Sequence, residues 1–284
     1  MKKLVLVLEA IKFEHTIFAL PFAFLRAFLA ARGCPGWATS FWIIMAMTGA
    51  RSAAMSFNRL ADRLDDRLNP RTSDRALPRA LLSTQFVALF TLATSTLFIF
   101  SAWMLNELAF YLSPIALAIV LLYSYTKRFT SWSHLVLGLS LAIAPVGGWV
   151  AVRGEIHLAP FYVAAAVLFW VGGFDIIYSC QDYDFDRKMG RHSLPSKWGI
   201  KTALRISALF HVLMMLLLIY AFFQFQLSLL SWIGLVLVGV GLIYEHSLVH
   251  PEDLSRLNAA FFTLNGLISV VLFVCVGLDL CLLQ

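Results

Sequence analysis

The sequence predicts an all-α integral membrane protein. Nine transmembrane helices form one bundle, built as two pseudo-repeats around a central cavity, and residues 1–284 make a single domain. Three observations carry this prediction. The chain is 60% hydrophobic and 13% charged, with a mean hydropathy of +0.81, whereas soluble domains are about 25% charged. Apolar runs near the roughly 20 residues that cross a hydrocarbon core recur along the whole length. More than half of the Asp, Glu, Lys and Arg residues fall within 51–79 and 175–201. A charge at mid-bilayer costs about 2.5–3.5 kcal/mol on insertion scales, so two such concentrations belong at helix ends.

The spans follow in order. The first runs from Lys12 to Ala31, with a kink expected at Pro21, and Gly33-Cys34-Pro35-Gly36 turns the chain back. The second covers Trp37 to about Phe57, and Asn69-Pro70 stops the polar helix end that follows it. The third runs from Ala80 to Trp103, with a turn at Asn106-Glu107, and the fourth from Leu108 to Tyr125. Lys127-Arg128 makes a cationic corner before the fifth, Trp132 to Val152, which contains Pro145, Gly147 and Gly148. The sixth runs from Phe161 to Gln181 and leads into a second polar loop, 184–200. Thr202 to Phe223, Leu227 to Tyr244 and Leu257 to Leu280 complete the set.

Nine spans put the segments after spans two, four, six and eight on one face, together with the N-terminus. That face carries Lys2, Lys3, the arginines from Arg59 to Arg79, Lys127, Arg128, Arg187, Lys188, Arg191, Lys197 and Lys201, against Arg32 and Arg153 opposite. The positive-inside rule assigns it to the cytoplasm, as expected for a bacterial inner membrane. The net charge of +6 comes largely from these loops, which suits anionic groups at a bilayer and gives no reason to expect nucleic acid. Cys34, Cys180, Cys275 and Cys281 lack metal-site spacing and read as core or lipid-facing thiols. Glu9, Lys12 and Glu14 interrupt the first apolar run, so it does not read as a signal peptide.

Two polar stretches share one pattern. Asn58, Asp62 and Asp66 lie at steps of four just past the second span. Asp182 and Asp186 repeat the step past the sixth, so that Asp62 aligns with Asp182, Asp66 with Asp186, Arg67 with Arg187 and Arg71 with Arg191. Steps of four return to one face of a helix, and stacking two carboxylates there costs about 0.2–0.5 kcal/mol if nothing lies between them. A helix end salt-bridged by Arg59 and Arg63 explains one stripe, but not its recurrence at the same end of a second span. Paired carboxylates with an amide suit a hard divalent cation, and Mg2+ takes few carboxylates, several waters and phosphate oxygens. Nearby Lys and Arg neutralise the remaining charge of a diphosphate. The ligand suggested is a metal-bridged diphosphate at the mouth of an apolar chamber that holds a hydrocarbon tail.

Arg51-Ser-Ala-Ala-Met-Ser-Phe-Asn58 through Asp66, then Asn69-Pro70-Arg71-Thr72, Tyr123-Ser-Tyr-Thr-Lys127-Arg128-Phe-Thr130 and Gln181-Asp182 through Gly190, with Ser193 and Pro195, resemble the UbiA-type membrane prenyltransferases over nearly the whole chain. The resemblance implies transfer of a polyprenyl chain from its diphosphate to an aromatic acid, with Mg2+, in quinone biosynthesis. It implies that Asn58, Asp62, Asp66, Asp182 and Asp186 hold the metal. Lys127 and Arg128 are implied as diphosphate contacts, with Arg67, Arg71 and Lys188 behind them. The expected acceptor is 4-hydroxybenzoate. Residues 11–21 and Gly173-Phe174-Asp175-Ile176-Ile177-Tyr178 also resemble a menaquinone branch whose acceptor is a dihydroxynaphthoate.

Arg51 lies two turns deeper than Asn58 and has two readings: an anchor for the acceptor carboxylate or a phosphate oxygen, or a salt bridge to Asp175. Lys12, Glu14 and His15 read as a solvated helix start, His134 and His211 as satisfied helix histidines, Asp65, Asp74 and Asp184 as solvated, and Glu245-His246 as a local pair. A cation-coupled transporter would place its ionisable residues nearer the midplane. A CDP-alcohol phosphotransferase would gather its aspartates in one segment.

Overall fold

The computed structural model describes residues 2–11, 20–257 and 259–283. The expected first-span polar group Lys12, Glu14 and His15 lies outside them. Most of the described residues are helical, and no strand occurs among them. In chain order the helices are α1 (Lys2–Ala10), α2 (Leu20–Ala31), α3 (Trp37–Ala61), α4 (Arg63–Leu68), α5 (Thr84–Leu105), α6 (Glu107–Thr126), α7 (Ser133–Arg153), α8 (Ala159–Ser179), α9 (Tyr183–Lys188), α10 (Leu194–Trp198), α11 (Ile200–Gln224), α12 (Leu229–Ser247) and α13 (Asn265–Leu278). Six of them, α5 to α8, α11 and α12, are long and apolar enough to cross a membrane. Helix α3 is also long, at 25 residues, but carries Arg51 and Arg59. Helices α2 and α13 are shorter apolar helices.

Local sequence explains the ends. Ser83 accepts a hydrogen bond from the Phe86 N–H and Asn106 from the Ala109 N–H, so α5 and α6 begin on side-chain caps. Gly154 ends α7 with a φ of 64°, in the left-handed region that glycine enters without strain. Ser193 and Ser196 form a reciprocal capping box at the start of α10.

Helix α3 packs chiefly on α5, α7 on α8 and α2, and α8 on α11. Close approach depends on glycine. A Cβ at Gly138 of α7 would lie 2.3 Å from the Leu168 carbonyl oxygen of α8, and one at Gly148 would lie 2.1 Å from the Ala23 oxygen of α2. Small residues at helix contacts are how membrane bundles gain van der Waals contact where burial from water cannot drive association. The largest apolar cluster joins α2, α8, α11, α12 and α13 around Trp170, Leu218 and Leu272.

Two expectations are corrected. The cysteines are not all thiols: Cys34, in the turn after α2, is bonded to Cys281 at the far end of the last helix, while Cys180 and Cys275 remain free. Glu245 and His246 do not pair locally. Glu245 is fully buried and accepts from the Asn265 side chain at 3.0 Å, while His246 meets His211 at 2.9 Å.

Candidate active site

The stripes are not continuous helix faces. Helix α3 ends before Asp62, and α4 starts just after it, at Arg63. The second motif does the same, with a 3-10 turn over Cys180–Asp182 before α9. The two breaks have nearly the same backbone, with φ −93° and ψ 7° at Asp62 and φ −97° and ψ 8° at Asp182. Each break is followed by a six-residue helix, and each helix carries a second aspartate, Asp66 or Asp186, at its fourth position.

Both motifs line one cavity of about 290 Å3, together with Arg51, Asn58, Lys127, Arg128, Asp175 and Tyr178. Its deeper wall is apolar, made by Leu137, Leu141, Val171 and Phe174. The loop after α4 carries one motif to the other. Asn69 Nδ2 donates to Asp182 Oδ1 at 3.0 Å, while Asn69 Oδ1 accepts the Arg71 backbone N–H at 3.0 Å. Arg71 then clamps Asp182 with both arms of its guanidinium, Nε to Oδ1 at 2.9 Å and Nη2 to Oδ2 at 2.6 Å. Tyr178 supports the clamp, since its hydroxyl accepts from Arg71 Nη1 at 3.1 Å and its ring lies 5.4 Å beneath the guanidinium. A near-reciprocal contact runs the other way, from Arg191 after the second motif to Asp65 of the first.

The remaining groups divide by position. Asn58 Nδ2 donates to Asp62 Oδ2 at 2.9 Å. Burial, with Asp66 close by, pushes the Asp62 carboxyl up to about 6. Arg75 pairs with Asp66 Oδ1 at 2.7 Å, and Arg59 stands 3.8 Å from Oδ2. Arg128 donates to the last carbonyl of α3, Ala61, at 2.6 Å and lies 3.9 Å from Asp62. Burial pulls the Lys127 ammonium down, but Asp186, Asp175, Asp182 and Asp62 outweigh it and raise it overall. Lys127 therefore faces carboxylates of both motifs.

Several sequence expectations change here. Arg67 and Lys188 are exposed and are not among the residues that line the cavity. Asp65 is not solvated but paired with Arg191 on the cavity wall. Asp175 is bound through Oδ2 to His134 Nδ1 at 2.7 Å, and Arg51 lines the same cavity. Asn69 and the His134–Asp175 pair act across long sequence separations that no local spacing reveals, and Arg75 reaches Asp66 only because the loop after α4 folds back.

The donor set fits a divalent cation. Asp66 Oδ2 and Asp186 Oδ2 are buried and accept no hydrogen bond, one on each motif. Buried carboxylate oxygens are otherwise nearly always satisfied. Among the described residues, no three His, Cys, Asp or Glu side chains converge as a ready-made metal cage. Mg2+ characteristically completes its shell with water and substrate phosphate instead.

A sequence profile of the UbiA prenyltransferase family matches residues 19–267. A 4-hydroxybenzoate octaprenyltransferase from Vesicomyosocius okutanii is 32% identical over 170 residues, which make 60% of this chain and 61% of that protein. The chain thus spans about three fifths of the length of the first curated relatives it matches. The apo structure of a UbiA homolog from Aeropyrum pernix K1 superposes with a TM-score of 0.87 at 35% identity, covering 94% of this chain and 98% of that one. A UbiA homolog from Archaeoglobus fulgidus bound to DMAPP and Mg2+ shares the fold, with a TM-score of 0.76 at 23% identity and 98% of each chain covered. Two aspartate-bearing helix breaks over one cavity, a family profile across most of the length and a solved homolog that superposes nearly end to end place this chain in the UbiA prenyltransferase family.

Proposed function

We propose that this protein transfers a polyprenyl chain from polyprenyl diphosphate to an aromatic acid, 4-hydroxybenzoate first, in quinone biosynthesis. One observation carries the reading: two buried carboxylate oxygens without hydrogen bonds, Asp66 Oδ2 and Asp186 Oδ2, belong to opposite motifs that line one cavity with an apolar floor. Relatives named for 4-hydroxybenzoate prenylation support the acceptor, and the homolog bound to DMAPP and Mg2+ supports the donor and the metal.

In this reading Asn58, Asp62, Asp66, Asp182 and Asp186 hold Mg2+. The metal supplies charge to the departing diphosphate. Arg71 releases Asp182 and turns to the diphosphate, joined by Lys127 and Arg128 at the cavity mouth. Leu137, Leu141, Val171 and Phe174 exclude water from the allylic end and hold the start of the prenyl chain. Arg51 receives the acceptor carboxylate. The bundle has nine spans, completed by the region around α2, by α3 and by α13, and the mouth faces the cytoplasm, where the positive loops lie.

The test is direct. Purified protein in lipid is given Mg2+, a polyprenyl diphosphate and an equimolar mixture of 4-hydroxybenzoate and dihydroxynaphthoates, and products are identified by mass spectrometry. Prenylated 4-hydroxybenzoate is expected. A prenylated naphthoate alone replaces the acceptor, and no prenylated ring at all rejects the activity.

A further inference from the structure

Two turns deeper than Asp182, the cavity wall carries a carboxylate with a different setting, Asp175 of α8. Its Oδ2 lies 2.7 Å from Nδ1 of His134. His134 sits at the start of α7 and has no exposed surface. The other ring nitrogen, Nε2, is 3.3 Å from the backbone nitrogen of Leu194. Leu194 opens α10, so its N–H is one of the donors that a helix leaves unpaired at its start. Because that N–H donates to Nε2, the imidazole proton is on Nδ1 and is donated to Asp175. One oxygen of Asp175 is thereby anchored, in a carboxyl group whose neighbours along the wall, Val171 and Phe174, are apolar. The anchor depends on close helices, since Gly138, one turn after His134, lets α7 meet the Leu168 backbone of α8.

We propose that Asp175, oriented by His134, is the base that removes the ring proton of the acceptor. This rests on the aromatic prenyl transfer argued above. The bond between the first prenyl carbon and a ring carbon forms while the bond from that prenyl carbon to the diphosphate oxygen breaks. The electron pair of the ring C–H bond then returns to the ring, and its proton passes to the Asp175 carboxylate. The acidic tips hold the diphosphate at the mouth. A ring placed below it, against the apolar wall, meets Asp175 rather than the metal-binding aspartates. His134 touches no reacting atom and acts as a positioning residue.

The experiment compares wild type, Asp175→Asn, His134→Leu and His134→Asn with ring-protiated and ring-deuterated 4-hydroxybenzoate, or the naphthoate if that is the ring accepted. Wild type is expected to show no primary isotope effect, because proton loss follows the slow step. Asp175→Asn keeps the shape and the hydrogen bond from His134 but cannot take a proton. Its kcat is expected to fall about 10²–10⁴-fold, with a primary isotope effect and unchanged KM for polyprenyl diphosphate and Mg2+. His134→Leu shows the same pattern more weakly, and His134→Asn, which returns an N–H near the position of Nδ1, recovers rate. A rate loss in Asp175→Asn without a ring isotope effect, or a His134→Asn variant as impaired as His134→Leu, overturns the proposal. Should His134→Leu fail to fold, Asp175→Asn decides alone. A wild type that prenylates no ring rejects the parent activity, whereas an active wild type with isotope-silent variants rejects only the base.

Discussion

Replacing Gly138 with alanine tests both the packing of the bundle and the geometry of its cavity. The added Cβ would lie 2.3 Å from the Leu168 carbonyl oxygen, with the Leu168 carbonyl carbon at 3.0 Å. Ordinary contact begins beyond about 3.3 Å, so α7 and α8 must part by about 1 Å. Both partners of the clash are backbone, so no side-chain rotation relieves it. Overpacking of this kind costs about 1–3 kcal/mol. The same displacement would stretch the His134–Asp175 contact from 2.7 Å to beyond hydrogen-bonding range. Gly138→Ala is therefore expected to lower the Tm of the protein in detergent and to cut prenyl transfer by about tenfold or more, as loss of about 1.4 kcal/mol at the transition state implies. Thermal unfolding and a product assay on the same preparation measure both. A variant with wild-type Tm and wild-type rate would show that α7 and α8 do not approach as described.

Other outcomes follow from the site. Asp66→Asn and Asp186→Asn each remove the charge of a carboxylate with a buried oxygen that accepts no hydrogen bond, so each should raise the Mg2+ concentration needed for half-maximal rate at least tenfold, and the double variant should yield no product above background by mass spectrometry. Asp62 is pushed up to about 6, so below that pH a proton competes with the cation, and titration calorimetry should find Mg2+ affinity falling as pH drops through about 6. Peptide mapping without reductant should find Cys34 joined to Cys281 and Cys180 as a free thiol. Reduction should lower the Tm, because the bond ties the turn after α2 to the end of the last helix.

Much of this site is legible in one sequence, for physical reasons. Apolar runs must match the bilayer, so the ends of α5 to α8, α11 and α12 lie within a few residues of where hydropathy alone sets them. The aspartate motifs stand out because carboxylates beside apolar helices need compensation, and the repeat at Asp62 and Asp182 says that the compensation is shared. What escapes is geometry that leaves no periodic trace. The breaks at Asp62 and Asp182 involve no glycine or proline, and the helix resumes after one residue at Asp62 and after a 3-10 turn at Asp182, so spacing by four reads as unbroken helix. Asp65 counts as off the stripe because its partner, Arg191, lies 126 residues away. Arg67 and Lys188 are exposed and stand outside the cavity lining, which spacing alone does not reveal. His134 and Asp175 are 41 residues apart. The available signal was a buried aspartate in an apolar span, which requires a named partner. Cys34 and Cys281 are separated by 247 residues, so no local spacing links them.

The central claim is that aspartates of both motifs grip one metal-bridged diphosphate. Anomalous scattering from Mn2+, substituted for Mg2+ in crystals grown with a non-ionisable thiolo analogue of the prenyl diphosphate, measures this most directly. Manganese is predicted within about 2.0–2.3 Å of carboxylate oxygens from Asp66 and from Asp186, with the analogue's phosphates between the two motifs. Manganese bound at one motif alone, with the diphosphate elsewhere, would contradict it.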